Sequence, residues 1–198
     1  KQVWMSAGLP TARFVRVPAG GDLAAAAREL GLPVFVKPST EGSSVGVFRI
    51  ATEDDLKPAL EFAVTYEGEL LAEQMLTGGE FTVGILGDIA LPSVRIVPAS
   101  GWYDYHAKYA PGASRHVIPA EVPDAVSEAW RDYALRAHRA LGCRGLSRTD
   151  FRWDDTKGLA GLILLETNTQ PGMTPTSLSP EQALAEGMSF AGLCDWIV

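Results

Sequence analysis

The spacing of apolar and polar residues changes period several times along the chain, and each change marks an element. From Asp124 to Leu141, Val126, Trp130, Tyr133, Ala134, Ala137 and Leu141 recur at helical spacing, and Gly142 is a natural stop. The alanine-rich GGDLAAAAREL predicts a shorter helix from Asp22 to Leu30. Thr52 with Asp55 three residues on has the form of a capping box for a helix reaching about Tyr66. Pro58 pushes the regular part of that helix a turn later. Period-two or short apolar runs predict strands at Val34 to Val36 (ending at Lys37 and Pro38), Leu70 to Leu76, Glu80 to Leu86 and Ile89 to Val97. Two more are predicted from about Gly145 to Trp153 and from Gly161 to Asn168, on either side of the turn-rich DDTKG. STEGSSVGVFRI reads as a Gly/Ser loop returning into a second strand of a hairpin. Ser100 to Pro123 has no clear period, and a loop of that length with so many aromatics points to function. The pattern predicts an α+β protein with largely antiparallel sheets.

Composition narrows the function classes. The chain has 198 residues, 46% hydrophobic and 21% charged, as a globular protein does, and its net charge of -7 comes without any basic run. Nucleic acid and anionic membranes are therefore excluded as partners, and any anion must be held by a local cluster against the overall field. There is no secretory signal and no apolar run long enough to span a bilayer. Cys143 and Cys194 match no metal or redox spacing and read as small buried residues of a cytosolic protein. The chain starts at Lys1, straight into QVWMSAG, and so reads as a piece of a longer polypeptide.

The chemistry concentrates in LLETNTQPGMTPTSLSP, Leu164 to Pro180. Residues two apart on a strand share a face, so Glu166 and Asn168 project together, and so do Arg148 and Asp150 on the preceding strand. A hairpin centred near Lys157 or Gly158 sets Asp150 across from Glu166 or its neighbour, with Cβ atoms about 5 Å apart. One face then carries two carboxylates, an amide oxygen and a guanidinium, a set suited to Mg²⁺ and phosphates. The plainer alternatives are a solvated acidic pair and a structural ion pair between Arg148 and Asp150. VFVKPSTEGSSVGV adds a lysine at a strand end before a Gly/Ser loop, which offers a charge and N–H donors to phosphate, although it is not a P-loop. WYDYHAKY interleaves Lys108 with aromatics, as a lid over a charged ligand would, or else Trp102, Tyr103 and Tyr105 pack the loop onto the body. His106, His116 and His138 share no ligand-like spacing and receive no role; His138 is expected at a solvent position on its helix.

Together, VKPSTEGSSVGV, EFTVGIL, YDYHAKY, GCRGLSRTDF and LETNTQPGMTPTSL, in this order from about Leu9 to Phe190, resemble the D-alanine–D-alanine ligases of the ATP-grasp superfamily. The resemblance implies an ATP-grasp fold of two α+β subdomains, a nucleotide-binding one over 1–79 and a catalytic one over 80–198. Lys37 would contact the nucleotide phosphates, with Glu41 nearby and Ser43 and Ser44 in the loop folding over them. Glu73, Gln74 and the backbone near Leu76 would read adenine, and Glu80 would hold the ribose. Lys108 would reach the γ-phosphate, while Tyr109 would link the lid to Ser43. Asp150, Glu166 and Asn168 would hold two Mg²⁺ ions, or Mn²⁺. Arg148 would stabilise the phosphoryl group in flight and the tetrahedral intermediate, assisted by the Gly172 backbone. Tyr103, Ser177 and Leu178 would bind D-alanine, the last two through its carboxylate.

The implied activity is ATP-dependent synthesis of D-alanyl-D-alanine for peptidoglycan precursors, in the cytoplasm, by a homodimer in the full-length protein. This sequence departs from the family at Gln74, where lysine is common, and at His106, where an acid is frequent. The family's N-terminal domain is absent, with one nucleotide lysine and the acid that orients the first D-alanine, so this chain alone is expected to bind nucleotide weakly. The rival readings are a ligase joining D-alanine to D-lactate, against which Tyr109 stands, and a non-catalytic nucleotide-binding module. A retired site would be expected to lose ligands, and Lys37, Arg148, Asp150, Glu166 and Asn168 are all present.

Overall fold

The structure, a computed structural model, describes residues 1–41, 45–99 and 114–198. They fall into two compact units. The smaller is Ala12–Leu76; the larger combines Lys1–Thr11 with 77–99 and 114–198. The first eleven residues, which include the short helix α1 (Gln2–Ser6), thus pack with the C-terminal part of the chain. Trp4 and Leu9 are the reason, since both are buried in the larger unit's core.

In the smaller unit, β1 (Phe14–Val17), β2 (Val34–Pro38), β3 (Phe48–Ile50) and β4 (Leu70–Gln74) form an antiparallel sheet in the order β1-β4-β2-β3. Val34, Val36, Ile50, Leu70 and Ala72 turn to one face, where α2 (Leu23–Leu30) and α3 (Leu56–Thr65) bury Leu23, Ala26, Ala27, Leu56 and Ala59 against them. Asp22 caps α2 by accepting from the Ala25 N–H at 2.8 Å. The Thr52–Asp55 capping box forms, and the regular helix begins at Leu56 after one 3₁₀ turn. Pro58 sits in the first turn, where its missing N–H has no helical acceptor to lose. The alternate residues Phe35, Lys37, Leu71 and Glu73 line the opposite face of the sheet.

The larger unit is built on a six-stranded antiparallel sheet. Its order is β10 (Leu162–Asn168), β9 (Leu146–Trp153), β5 (Gly79–Leu86), β7 (Val94–Pro98), β8 (Ser114–Val117), with β6 (Ile89–Ala90) on β5. The helix α4 (Asp124–Ala140) packs on one face, with Trp130 wholly buried at 4.4 Å from the Phe81 ring centroid and edge-on to Trp153. The short helices α5 (Leu178–Ala185) and α6 (Phe190–Ile197) follow β10, and Leu178 packs with Val94 and Ile96 on the other face. No helix among the described residues is long and apolar enough to cross a membrane.

The β9–β10 hairpin closes through Asp155–Gly161, a pair of 3₁₀ turns in place of a tight turn. Lys157, Thr156 and Thr77 all bond the Asp154 carboxyl and hold it far below the usual carboxylate range.

Four expectations are corrected. The single strand Ile89 to Val97 is two strands, because Pro92 has no N–H for the ladder and Ser93 instead accepts the Ala120 N–H through its carbonyl. The aperiodic stretch Ser100 to Pro123 contains β8, a polar edge strand that needs only one partner. His138 is 4% exposed, not solvated: it faces the sheet at 2.7 Å from the Ser147 hydroxyl, and burial lowers its pKa. Cys143 and Cys194 are only partly buried and are unbridged.

Candidate active site

The candidate chemistry of the larger unit lies on the face of its sheet opposite α4. In the antiparallel register Asp150 stands between Thr82 on β5 and Glu166 on β10, while Arg148 stands between Gly84 and Asn168. Glu80 pairs with Arg152 in the next row. Directly paired residues share a face, so Glu80, Thr82, Arg148, Asp150, Arg152, Glu166 and Asn168 project together.

A bulge makes this possible on β10. Leu162 pairs with Trp153 and Leu164 with Phe151, both toward the core, and simple alternation would carry Glu166 to the same side. The register shifts between Leu164 and Glu166, so Leu165 is the extra residue and Glu166 moves to the face of Asp150. Thr167 then turns inward, where its hydroxyl meets that of Thr149 at 2.9 Å.

Asp150 is the hub. Arg148 grips it with Nε to Oδ1 and Nη2 to Oδ2, both at 2.9 Å. The Thr82 hydroxyl donates to Oδ1 at 2.6 Å, and Asn168 Nδ2 donates to Oδ2 at 3.1 Å. The ion pair weighed as a plain alternative therefore exists, and it sits inside a larger polar cluster. Asp150 is 8% exposed, whereas Glu166 is exposed to solvent. Glu80 makes a salt bridge to Arg152 at 3.0 Å, and Arg152 also donates to the Gly78 carbonyl. Among the described residues no three His, Cys, Asp or Glu side chains come together as a metal group. The candidate ligands Asp150, Glu166 and Asn168 offer two carboxylates and one amide, and these all-oxygen donors fit a hard cation such as Mg²⁺.

After β10 the chain turns through Pro171 and Gly172 into α5. A Cβ on Gly172 would lie 3.2 Å from Ser177 Oγ, so the two predicted substrate-contacting positions are adjacent. Ser177 is the N-cap residue of α5, and its Oγ takes the Thr174 N–H at 3.1 Å. Leu178, the first residue of α5, is buried. Helix α5 is seated by two residues that received no role. His116 Nδ1 lies 2.6 Å from Glu181 Oε2, and buried Gln182 donates to the Pro92 carbonyl at 2.7 Å. Each becomes visible only once β8 and α5 are placed.

In the smaller unit Lys37 makes a salt bridge to buried Glu73 at 3.2 Å on the sheet face away from its helices. Gln74, at the end of β4, and Glu41, beyond β2, are exposed; Leu76 is half-buried. Ser43, Ser44, Tyr103, Lys108 and Tyr109 lie outside the described residues, as do Trp102, Tyr105 and His106.

Residues 3–198 match the family described as D-ala D-ala ligase C-terminus. Curated relatives include D-alanine–D-alanine ligases from Ruegeria pomeroyi, 55% identical over 100% of this chain and 63% of that protein, and from Cereibacter sphaeroides, 53% identical at the same coverage. This chain thus spans 63% of the length of these relatives. Among solved structures, D-alanine–D-alanine ligase from Bacillus anthracis superposes with a TM-score of 0.85 at 31% identity, over 99% of this chain and 63% of that one. The same enzyme complexed with ATP gives 0.83 at 26%, over 99% of this chain and 62% of that one. VanG D-Ala:D-Ser ligase from Enterococcus faecalis gives 0.81 at 28%, over 99% of this chain and 58% of that one. The architecture is the α+β ATP-grasp fold, and the chain belongs to the D-Ala–D-Ala ligase C-terminal family.

Proposed function

We propose that a full-length protein carrying this chain joins two D-alanines to D-alanyl-D-alanine, converting ATP to ADP and phosphate, as a step of peptidoglycan precursor synthesis in the cytoplasm. The observation that carries the reading is the gathering of Arg148, Asp150, Glu166 and Asn168 on one face, with Glu166 brought there by the bulge. The names of the relatives and the ATP complex of the Bacillus anthracis neighbour support the substrates. The homodimer implied by the family resemblance belongs to the same reading.

A carboxylate oxygen is a poor leaving group. Transfer of the terminal phosphoryl of ATP to the first D-alanine makes an acyl phosphate, and the amine of the second then attacks its carbonyl. The tetrahedral intermediate expels phosphate and leaves the peptide bond. No protein nucleophile is required, so the chain's part is positioning and charge. In this reading Arg148 stabilises the phosphoryl group and the oxyanion, with the Gly172 N–H as a second donor. Ser177 and the first turn of α5 hold the carboxylate of the second D-alanine. Lys37 and Glu73 serve the phosphates and adenine, with Glu41, Gln74 and Leu76 beside them, and Glu80 the ribose. Ser43, Ser44, Lys108, Tyr109 and Tyr103 are assigned to the loops that close over nucleotide and substrate and keep water from the acyl phosphate. Asp150, Glu166 and Asn168 would hold Mg²⁺, as two ions, which neutralises charge on the phosphates when bound.

Conservative removal of the carboxylates tests this. D150N and E166Q in the full-length protein are expected to lower dipeptide synthesis about 10²-fold or more each, the scale for losing one group that stabilises transition-state charge. Turnover that survives either change would remove the metal assignment.

A further inference from the structure

Thr82 lies in the middle of β5 between two core residues, Phe81 and Val83, and is 0% exposed. Valine would suit that strand position as well by shape and by χ1 preference. The hydroxyl therefore answers to something other than packing. Its proton has two acceptors within reach, the Thr149 carbonyl at 3.2 Å and Asp150 Oδ1 at 2.6 Å, and the shorter line runs to the charged one.

We propose that Thr82 is a positioning residue for catalysis: its hydroxyl fixes the plane of the Asp150 carboxylate, so that Oδ2 is aimed toward Asn168 and the register partner Glu166. This rests on the ligase reading above, in which Asp150, Glu166 and Asn168 hold the divalent cation. That reading also sets the need. Arg148 grips both oxygens of Asp150, yet the same guanidinium is assigned to the phosphoryl group and the oxyanion. A carboxylate steered only by a side chain with a second role would lose its orientation whenever that role is performed. Thr82 supplies a hold from the neighbouring strand that is rigid, buried and independent of Arg148. Its own backbone is fixed in turn: the Thr82 carbonyl lies 3.4 Å from Gln182 Nε2 on α5, and Thr82 is in ladder register with Asp150 on one side and Val94 on the other. Partners that orient a metal-ligating group typically change metal affinity 10- to 100-fold when removed.

The test is Mn²⁺ binding, read by electron paramagnetic resonance in the presence of ADP, on the full-length protein and its T82V, T82A, T82S and D150N variants, with denaturation midpoints measured in parallel. T82V is expected to raise the Mn²⁺ dissociation constant about 10-fold, with the midpoint little changed. T82S, which keeps the hydroxyl, is expected to stay near the unsubstituted protein. T82A gives the same loss without an apolar group against the carboxylate, which keeps the test available if valine disturbs folding. Unchanged Mn²⁺ affinity in T82V and T82A, with D150N weakened, overturns the role of Thr82 and leaves the ligase reading standing. Unchanged affinity in D150N overturns the metal reading and this inference with it.

Discussion

Replacing Arg148 by Ala in a full-length protein that carries this chain is expected to lower kcat about 10³-fold while moving the KM for ATP little. The loss of a guanidinium that acts on charge developing in the transition state falls in this range for preorganised donors and arginine fingers. Arg148 has geometry suited to that role, since its side chain is 16% exposed and its fork is held bidentate on Asp150. A kcat effect with a steady KM marks an interaction made only in the transition state. R148A also leaves Asp150 with one cation fewer, so R148K serves as the companion variant. It keeps a charge beside Asp150 but not the planar fork, and recovery of the denaturation midpoint without recovery of kcat would separate stability from catalysis. Steady-state kinetics on the two variants reads this, and an R148A kcat within tenfold of the unsubstituted protein would remove Arg148 from the chemistry.

The second large effect is on folding. Gly78 has φ +97°, and a Cβ there would lie 2.0 Å from the Trp153 carbonyl oxygen and 2.4 Å from its carbon. The obstruction is backbone of β9, which cannot swing aside as a side chain can. G78A is therefore expected to cost more than about 4 kcal/mol, in the exceptional range for a single substitution. The lost stability would show as a collapse of the urea midpoint or as failure to accumulate in soluble form. Gly142 is the control. It also has a positive φ of 66°, but an added Cβ meets nothing within 4 Å. G142A should then cost only the left-handed backbone strain, about 1 kcal/mol. Equal midpoints for the two variants would mean that the close approach of Gly78 to β9 does not constrain the fold.

The hairpin that carries the site shows how far the sequence could be read. Trp153 pairs with Leu162, so the hairpin centre does fall between Lys157 and Gly158, and Asp150 does stand across from Glu166. A regular hairpin with that centre sets Asp150 across from Leu165, the neighbour of Glu166, and that much followed from spacing and turn chemistry, which are local. What the spacing could not contain is the bulge at Leu165. Strict alternation would place Leu164, Glu166 and Asn168 on one face, and only the pairing with β9 decides that Leu165 is skipped. The long helix is legible because Trp130, Ala134 and Ala137 form an apolar stripe, and His138, four residues after Ala134, lies beside that stripe although a solvent position is expected for it from the sequence. Its burial depends on the Ser147 hydroxyl of another strand, a partner that helical periodicity cannot name.

Edge strands and short helices are the least visible. β8 carries one apolar residue in four, and its register with β7 is set by the sheet, not by its own pattern. Helix α5 hides behind a run of hydroxyls, although it positions Ser177 and Leu178, and its anchors Glu181 and Gln182 look like ordinary surface residues. Thr82 is inconspicuous for a similar reason: within EFTVGIL it reads as a β-branched strand residue, and only the register with Asp150 reveals its hydroxyl contact.

The central claim, that this face serves ligation of two D-alanines, is tested most directly by ADP release from the full-length protein given ATP and Mg²⁺, with D-alanine, L-alanine, D-serine or D-lactate as added substrate. The account predicts release that depends on D-alanine alone and is matched by accumulation of D-alanyl-D-alanine. A protein that binds ATP but releases no additional ADP when D-alanine is present would contradict it.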